Sequence, residues 1–102
     1  MYDYDNAFNA VARITGISKR KILSAARIWK IHEARMLFVL LISRLGREDN
    51  KIALVLNRSR TTILKTRHKA EEYMTVSRTF SDKFNQISQT YAISSQTRNS
   101  QE

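Results

Sequence analysis

The unbroken apolar run Met36-Leu37-Phe38-Val39-Leu40-Leu41-Ile42 lies inside a segment, about Ile31 to Leu45, that contains neither glycine nor proline. A helix built on it is hydrophobic on every side, and such a helix is stable only with other elements packed around it. It falls far short of the roughly 20 apolar residues needed to cross a bilayer. The run therefore predicts a central pillar ringed by further helices. The rest of the chain agrees, because it has no proline and only two glycines, Gly16 and Gly46, which suits helices better than tightly turned strands. The expected class is all-α, a compact bundle of about six helices containing a helix-turn-helix.

In chain order, Asp5 or Asn6 can cap a first helix carrying Phe8, Val11, Ala12 and Thr15 at helical spacing, and Gly16 is suited to stop it in a left-handed residue. Ser18 can cap a second helix that begins Lys19-Arg20-Lys21 and turns Ile22, Leu23 and Ala26 inward. Three cations at a helix start oppose the macrodipole, which suggests an absent anion. Arg27-Ile28-Trp29-Lys30 reads as a connector, with Trp29 as a packing or hinge anchor. Gly46 ends the pillar, and Asp49 is the expected cap of a short fourth helix, Asn50 to Leu56. Thr79-Phe80-Ser81-Asp82 looks like a capping box opening a last helix, with Phe80, Phe84, Ile87 and Tyr91 on one stripe. Residues 1–93 form one expected domain. Beyond Ile93 no apolar group remains to bury, so Ser94 to Glu102 reads as a disordered polar tail.

Between the fourth and fifth helices lies Asn57-Arg58-Ser59-Arg60-Thr61-Thr62-Ile63-Leu64-Lys65. Asn57 tolerates the left-handed backbone that ends a helix, and Ser59 can cap the next one. On that next helix, Ile63, Thr66, Ala70, Tyr73 and Met74 share one face, while Thr61, Lys65, His68, Lys69 and Glu72 share the other. Short hydrogen-bonding side chains mixed with cations, at the helix end that favours phosphate, fit a recognition helix of about residues 59–77.

Charge narrows the partner. Across 102 residues, 18 Lys and Arg face 9 Asp and Glu, a formal net of +9 that points to a polyanion. Without cysteine, and with His32 and His68 isolated, no structural metal site is expected, and no cofactor either. The start Met-Tyr-Asp-Tyr-Asp lacks the pattern of a secretory signal, so a soluble, cytoplasmic, nucleoid-associated protein is expected, with no membrane partner.

This succession of a basic second helix, a long buried third, a short fourth and a Thr-Thr-bearing fifth resembles the C-terminal DNA-binding domain of the bacterial chromosomal replication initiator DnaA, a Trp-repressor-like helix-turn-helix. The likeness covers roughly Val11 to Tyr91. The family's signature runs Gly-Arg-Asp-His-Thr-Thr and then an apolar pair, for which this chain has Asn57-Arg58-Ser59-Arg60-Thr61-Thr62-Ile63-Leu64, with Arg67-His68-Lys69-Ala70-Glu71 standing at the family's basic stretch. Ser59-Arg60 replaces Asp-His, and Glu33 stands near the family's minor-groove arginine, while Arg35 matches a basic family position.

The resemblance implies double-stranded DNA as partner. Ser59, Arg60, Thr61, Thr62 and Lys65 are the expected base contacts, and Arg60 has the fork that pairs with guanine. Lys19, Arg20, Lys21, Arg35, Lys51, Arg58, His68 and Lys69 are the expected phosphate contacts. The chain lacks G-x-x-x-x-G-K-[ST], so the family's ATPase is not expected with it, and no small-molecule substrate is implied. Monomer and dimer both stay open. The rival reading is a helix-turn-helix-like protein-interaction module or regulator subunit that reads no bases. An enzyme is not expected, because Glu48-Asp49 and Glu71-Glu72 are neighbours that diverge by about 100° on a helix and no nucleophile, base and acid share a spacing.

Overall fold

Hydrophobic burial organises six helices around the apolar pillar in the computed structural model, which describes residues 4–100. They are α1 (Tyr4–Thr15), α2 (Lys19–Leu23), α3 (Trp29–Arg44), α4 (Asp49–Leu56), α5 (Arg60–Val76) and α6 (Arg78–Ser100). Met36 to Ile42 of α3 are all buried, as an all-round apolar helix requires. α1, α5 and α6 wrap it, and Phe8 of α1 stacks on Phe38 at 4.1 Å between ring centroids. Ile63 of α5 and Phe80, Phe84 and Ile87 of α6 complete the core. The radius of gyration, 12.9 Å, is that of a chain this long folded around one core. No helix among the described residues is long and apolar enough to cross a membrane.

Local chemistry sets the boundaries. Gly16 and Gly46 have φ of +77° and +101°, and Asn57 has φ of +54°. These three residues close α1, α3 and α4 in the left-handed conformation expected of them. Ser18 and Ser59 cap α2 and α5 through their hydroxyls.

Three boundaries differ from expectation. Asp49 is the first residue of α4 rather than its cap; Glu48 holds the cap position without a side-chain bond, and both Asp49 oxygens accept from Arg67 at 2.9 Å. α6 opens at Arg78, where the Ser77 hydroxyl accepts from the Phe80 amide, so Ser77 does what Thr79 was expected to do. Ser94 to Ser100 continue α6 where a disordered tail was expected. Nothing after Tyr91 is a glycine or proline that would stop a helix already propagating. Gln101 and Glu102 of that expected tail lie outside the described residues.

Candidate nucleic-acid interface

The turn between α4 and α5 is Asn57-Arg58-Ser59. Its closure follows from the left-handed Asn57: the Arg58 amide donates to the Ala53 carbonyl at 2.9 Å and the Asn57 amide to Leu54 at 3.3 Å. These bonds satisfy the last carbonyls of α4 and reverse the chain. The Ser59 hydroxyl then accepts from the Thr62 amide at 3.1 Å and lies 2.9 Å from the Thr62 hydroxyl.

Beyond the turn, α5 divides as the helical wheel requires. Ile63, Thr66 and Ala70 are buried, while Arg60, Thr61, Thr62, Lys65, His68 and Lys69 are exposed. The Thr66 hydroxyl returns to the Thr62 carbonyl at 2.8 Å, which accounts for a buried threonine. α5 is held to its neighbours by two ion pairs from its inner flanks. Arg67 clasps Asp49 of α4 through Nε and Nη2, and Glu71 accepts from Arg44 of α3 at 2.7 Å. The Asp49 carboxyl lies below its ordinary pKa, chiefly through the hydrogen bond from Arg67, with burial opposing and the charges of Arg67 and Arg60 adding. The basic stretch Arg67-His68-Lys69 is thus split: Arg67 is a tie, and His68 and Lys69 face outward.

Other expected phosphate contacts are placed differently from one another. Lys51 on α4 is exposed, as are Lys19, Arg20 and Lys21. However, α2 is only five residues long, so its macrodipole is too weak for the three cations to imply a missing anion. Lys19 has a partner already, Asp5 at 3.3 Å, and its ammonium sits 5.1 Å from the Phe8 ring centroid.

Arg35 and Arg58, two of the expected phosphate contacts, are turned inward onto backbone carbonyls. Arg35 is buried; its Nε donates to the Ile22 carbonyl at 3.0 Å and its Nη2 to the Ser24 carbonyl at 2.8 Å. Arg58 is half-buried, donating from Nη1 to Leu56 at 2.9 Å and from Nη2 to the same Ser24 oxygen. The two guanidiniums staple the end of α2 to α3 and to the helix-turn-helix turn instead of standing out from the surface. An arginine fork suits this task because it can satisfy two carbonyls at once.

Two hollows flank the head of α5. One, of about 570 Å³, is bounded by Ser43, Gly46, Asp49, Asn50, Arg60 and Arg67. The other, of about 490 Å³, lies between Ala25-Ala26-Arg27 and α5 and is walled by His32, Arg35, Arg58 and Thr62. Arg27 and His32 were not among the expected site residues. The signal available for Arg27 was a cation next to the exposed Ile28 and Trp29 in a glycine-free connector; His32 gave none, since nothing local placed it beside the turn. Trp29 is an anchor with an open side, 49% exposed, its ring set edge-on to Tyr73 of α5 at 5.7 Å and 6.1 Å from the His32 ring. Glu33 is buried and accepts from Lys83 of α6 at 2.8 Å.

No family model matches this sequence, and no curated protein matches it either.

Proposed function

We propose that this chain binds double-stranded DNA sequence-specifically, laying the head of α5 in the major groove, as a module similar to the initiator's DNA-binding domain. The observation that carries the reading is the exposure of Arg60, Thr61, Thr62 and Lys65 on a helix whose opposite face is locked into the core. A rigid, outward helix start bearing hydrogen-bonding and cationic side chains is what base-edge recognition needs. Arg60 and Thr61 serve as base contacts. Ser59 and Thr62 pair their hydroxyls with each other, so each retains one face for a base or phosphate. Lys51 and Lys69 follow the backbone, where charge supplies affinity and register, with the His68 ring beside them as a hydrogen-bonding group.

The rival, docking of another protein, draws on a different observation: Leu54, Val76 and Ile28 are 78%, 72% and 65% exposed. Large exposed apolar side chains mark an interface only when they form a contiguous patch, and Leu54 and Val76 stand on different helices.

Selection from a pool of random duplexes with the purified protein tests the proposal. The expected outcome is one enriched site, on which Arg60→Ala or Thr61→Ala costs roughly 1–3 kcal/mol and relaxes choice at one base pair. Recovery of no preferred site, with binding indifferent to both substitutions, rejects base reading.

A further inference from the structure

The hollow between Ala25-Ala26-Arg27 and α5 is walled by the two stapling arginines, Arg35 and Arg58, together with His32 and Thr62. Arg35 and Arg58 bring two positive charges onto one carbonyl oxygen, that of Ser24. Neither has a carboxylate partner among the described residues, whose ion pairs are Asp5 with Lys19, Asp49 with Arg67, Glu71 with Arg44 and Glu33 with Lys83. Burying like charges side by side without a counter-ion is unfavourable. The electrostatics register this, since burial and then the charge of Arg58 hold Arg35 below its ordinary pKa, and burial does the same to Arg58.

Each guanidinium has five N–H donors and uses two of its nitrogens on backbone carbonyls, which leaves one nitrogen free of the backbone on each of two side chains that line the hollow. Ala25 and Ala26 keep the wall low, Arg27 adds a third cation at the rim, and no carboxylate lines the space.

We propose that this hollow is an anion site that seats one backbone phosphate of the bound duplex against Arg35 and Arg58, and that its occupant brings a proton onto His32. The inference rests on the DNA-binding reading and deepens it. His32 walls the hollow from α3 and feels the charges of Arg35 on its own helix and Lys69 on α5, while Arg58 from the turn and Arg27 from the connector line the same hollow. Its one acidic chain neighbour, Glu33, pairs with Lys83 of α6. Burial, then Arg35, then Lys69 hold its pKa below the ordinary 6.5. A phosphate in the hollow reverses the local field and favours imidazolium. By linkage, a proton taken up on binding makes affinity rise as pH falls, by at most tenfold per pH unit for one proton.

The test measures affinity for the selected duplex at constant salt from pH 7.5 to 5.5, in the unmodified chain, His32→Gln and His68→Gln. A second measurement follows the titration midpoint of His32 in the unmodified chain by NMR, with and without sulfate at matched ionic strength. Sulfate mimics the phosphate without titrating itself. Fluorescence of Trp29, the sole tryptophan, gives an independent trace, because an imidazolium beside an indole quenches it.

The proposal expects the pH dependence to survive in His68→Gln, to be lost in His32→Gln, and sulfate to raise the His32 midpoint. If the duplex binds but its pH dependence persists in His32→Gln, the proposal is overturned while the DNA reading stands. If the duplex fails to bind yet sulfate raises the midpoint, the anion site stands and the DNA reading falls. A midpoint indifferent to sulfate overturns the site even if His32→Gln fails to fold.

Discussion

Asp49→Asn is the substitution that bears most directly on how α5 is aimed. In the native chain, the Asp49 carboxylate accepts from Nε and Nη2 of Arg67, both at 2.9 Å, with side chains only 13% and 26% exposed. This is a two-pronged, charge-assisted contact between the first turn of α4 and the second turn of α5, and it has little solvent to screen it. Each such bond contributes about 1.5–3 kcal/mol when intact. Asn keeps one acceptor and loses the charge, so a total cost of about 1.5–3 kcal/mol is expected. For a domain of this size, each kcal/mol lowers Tm by about 4–8 °C, which predicts a fall of roughly 6–24 °C by calorimetry. The pair energy itself comes from a double-mutant cycle with Arg67→Met, where a coupling of about 1–3 kcal/mol is expected.

The pH sign follows from the depressed Asp49 pKa. The stabilisation is complete above the ordinary value near 3.8 and disappears as pH falls through the lower folded value. Asp49→Asn therefore flattens the acid limb of stability below that pH. A coupling under about 0.5 kcal/mol, the scatter expected of independent sites, would refute the claim that this pair fixes the two helices.

Three further outcomes are expected. Arg35→Met removes the donors holding the Ile22 and Ser24 carbonyls, so it should lower stability by about 2–4 kcal/mol in the absence of any DNA; a Tm within 2 °C of the parent would show that Arg35 is no internal tie. Ser59→Ala should cost about 1 kcal/mol through the lost cap of α5, measured by urea unfolding, and less than a few tenths would show the cap to be idle. Asn57→Val should cost about 1–2 kcal/mol because φ is +54° there, whereas Asn57→Gly should leave stability nearly unchanged; equal effects would argue against the left-handed closure.

The features legible in the sequence are those decided within a few residues. Gly16, Gly46 and Asn57 declare their stops because few other residues adopt a positive φ, and Ser18 and Ser59 declare their starts because a hydroxyl one step before a helix has an amide within reach. The pillar was legible because Met36 to Ile42 offers no polar side at all. The facing of α5 followed from spacing alone.

Features decided by distant partners were not legible. Asp49 can either cap α4 or stand as its first residue, and Arg67, on the next helix, decides between them. Arg35 and Arg58 look like surface charge until the end of α2 folds back and presents carbonyls to them. The end of the last helix was missed for a related reason: the loss of an apolar stripe after Ile93 shows where burial stops, while α6 continues to Ser100 on backbone geometry.

This division among the cations sets the salt dependence of binding. The formal charge of +9 overstates what the outward faces offer a duplex, because Arg67 holds Asp49 while Arg35 and Arg58, bonded to backbone carbonyls, line the His32 hollow. Apart from Arg60, the exposed cations of α4 and α5 are Lys51, Lys65 and Lys69. At about −0.9 per neutralised phosphate, contacts by these three give a slope of log affinity on log salt of about −3. One phosphate in the His32 hollow steepens it to about −4, and engagement of Lys19, Arg20 and Lys21 as well takes it to about −6. Lys19→Ala separates the last two cases, flattening the slope by about one only if the duplex extends to α2. A slope shallower than −2, unmoved by Lys51→Ala, would mean that the outward face of α5 does not lie between phosphate rows.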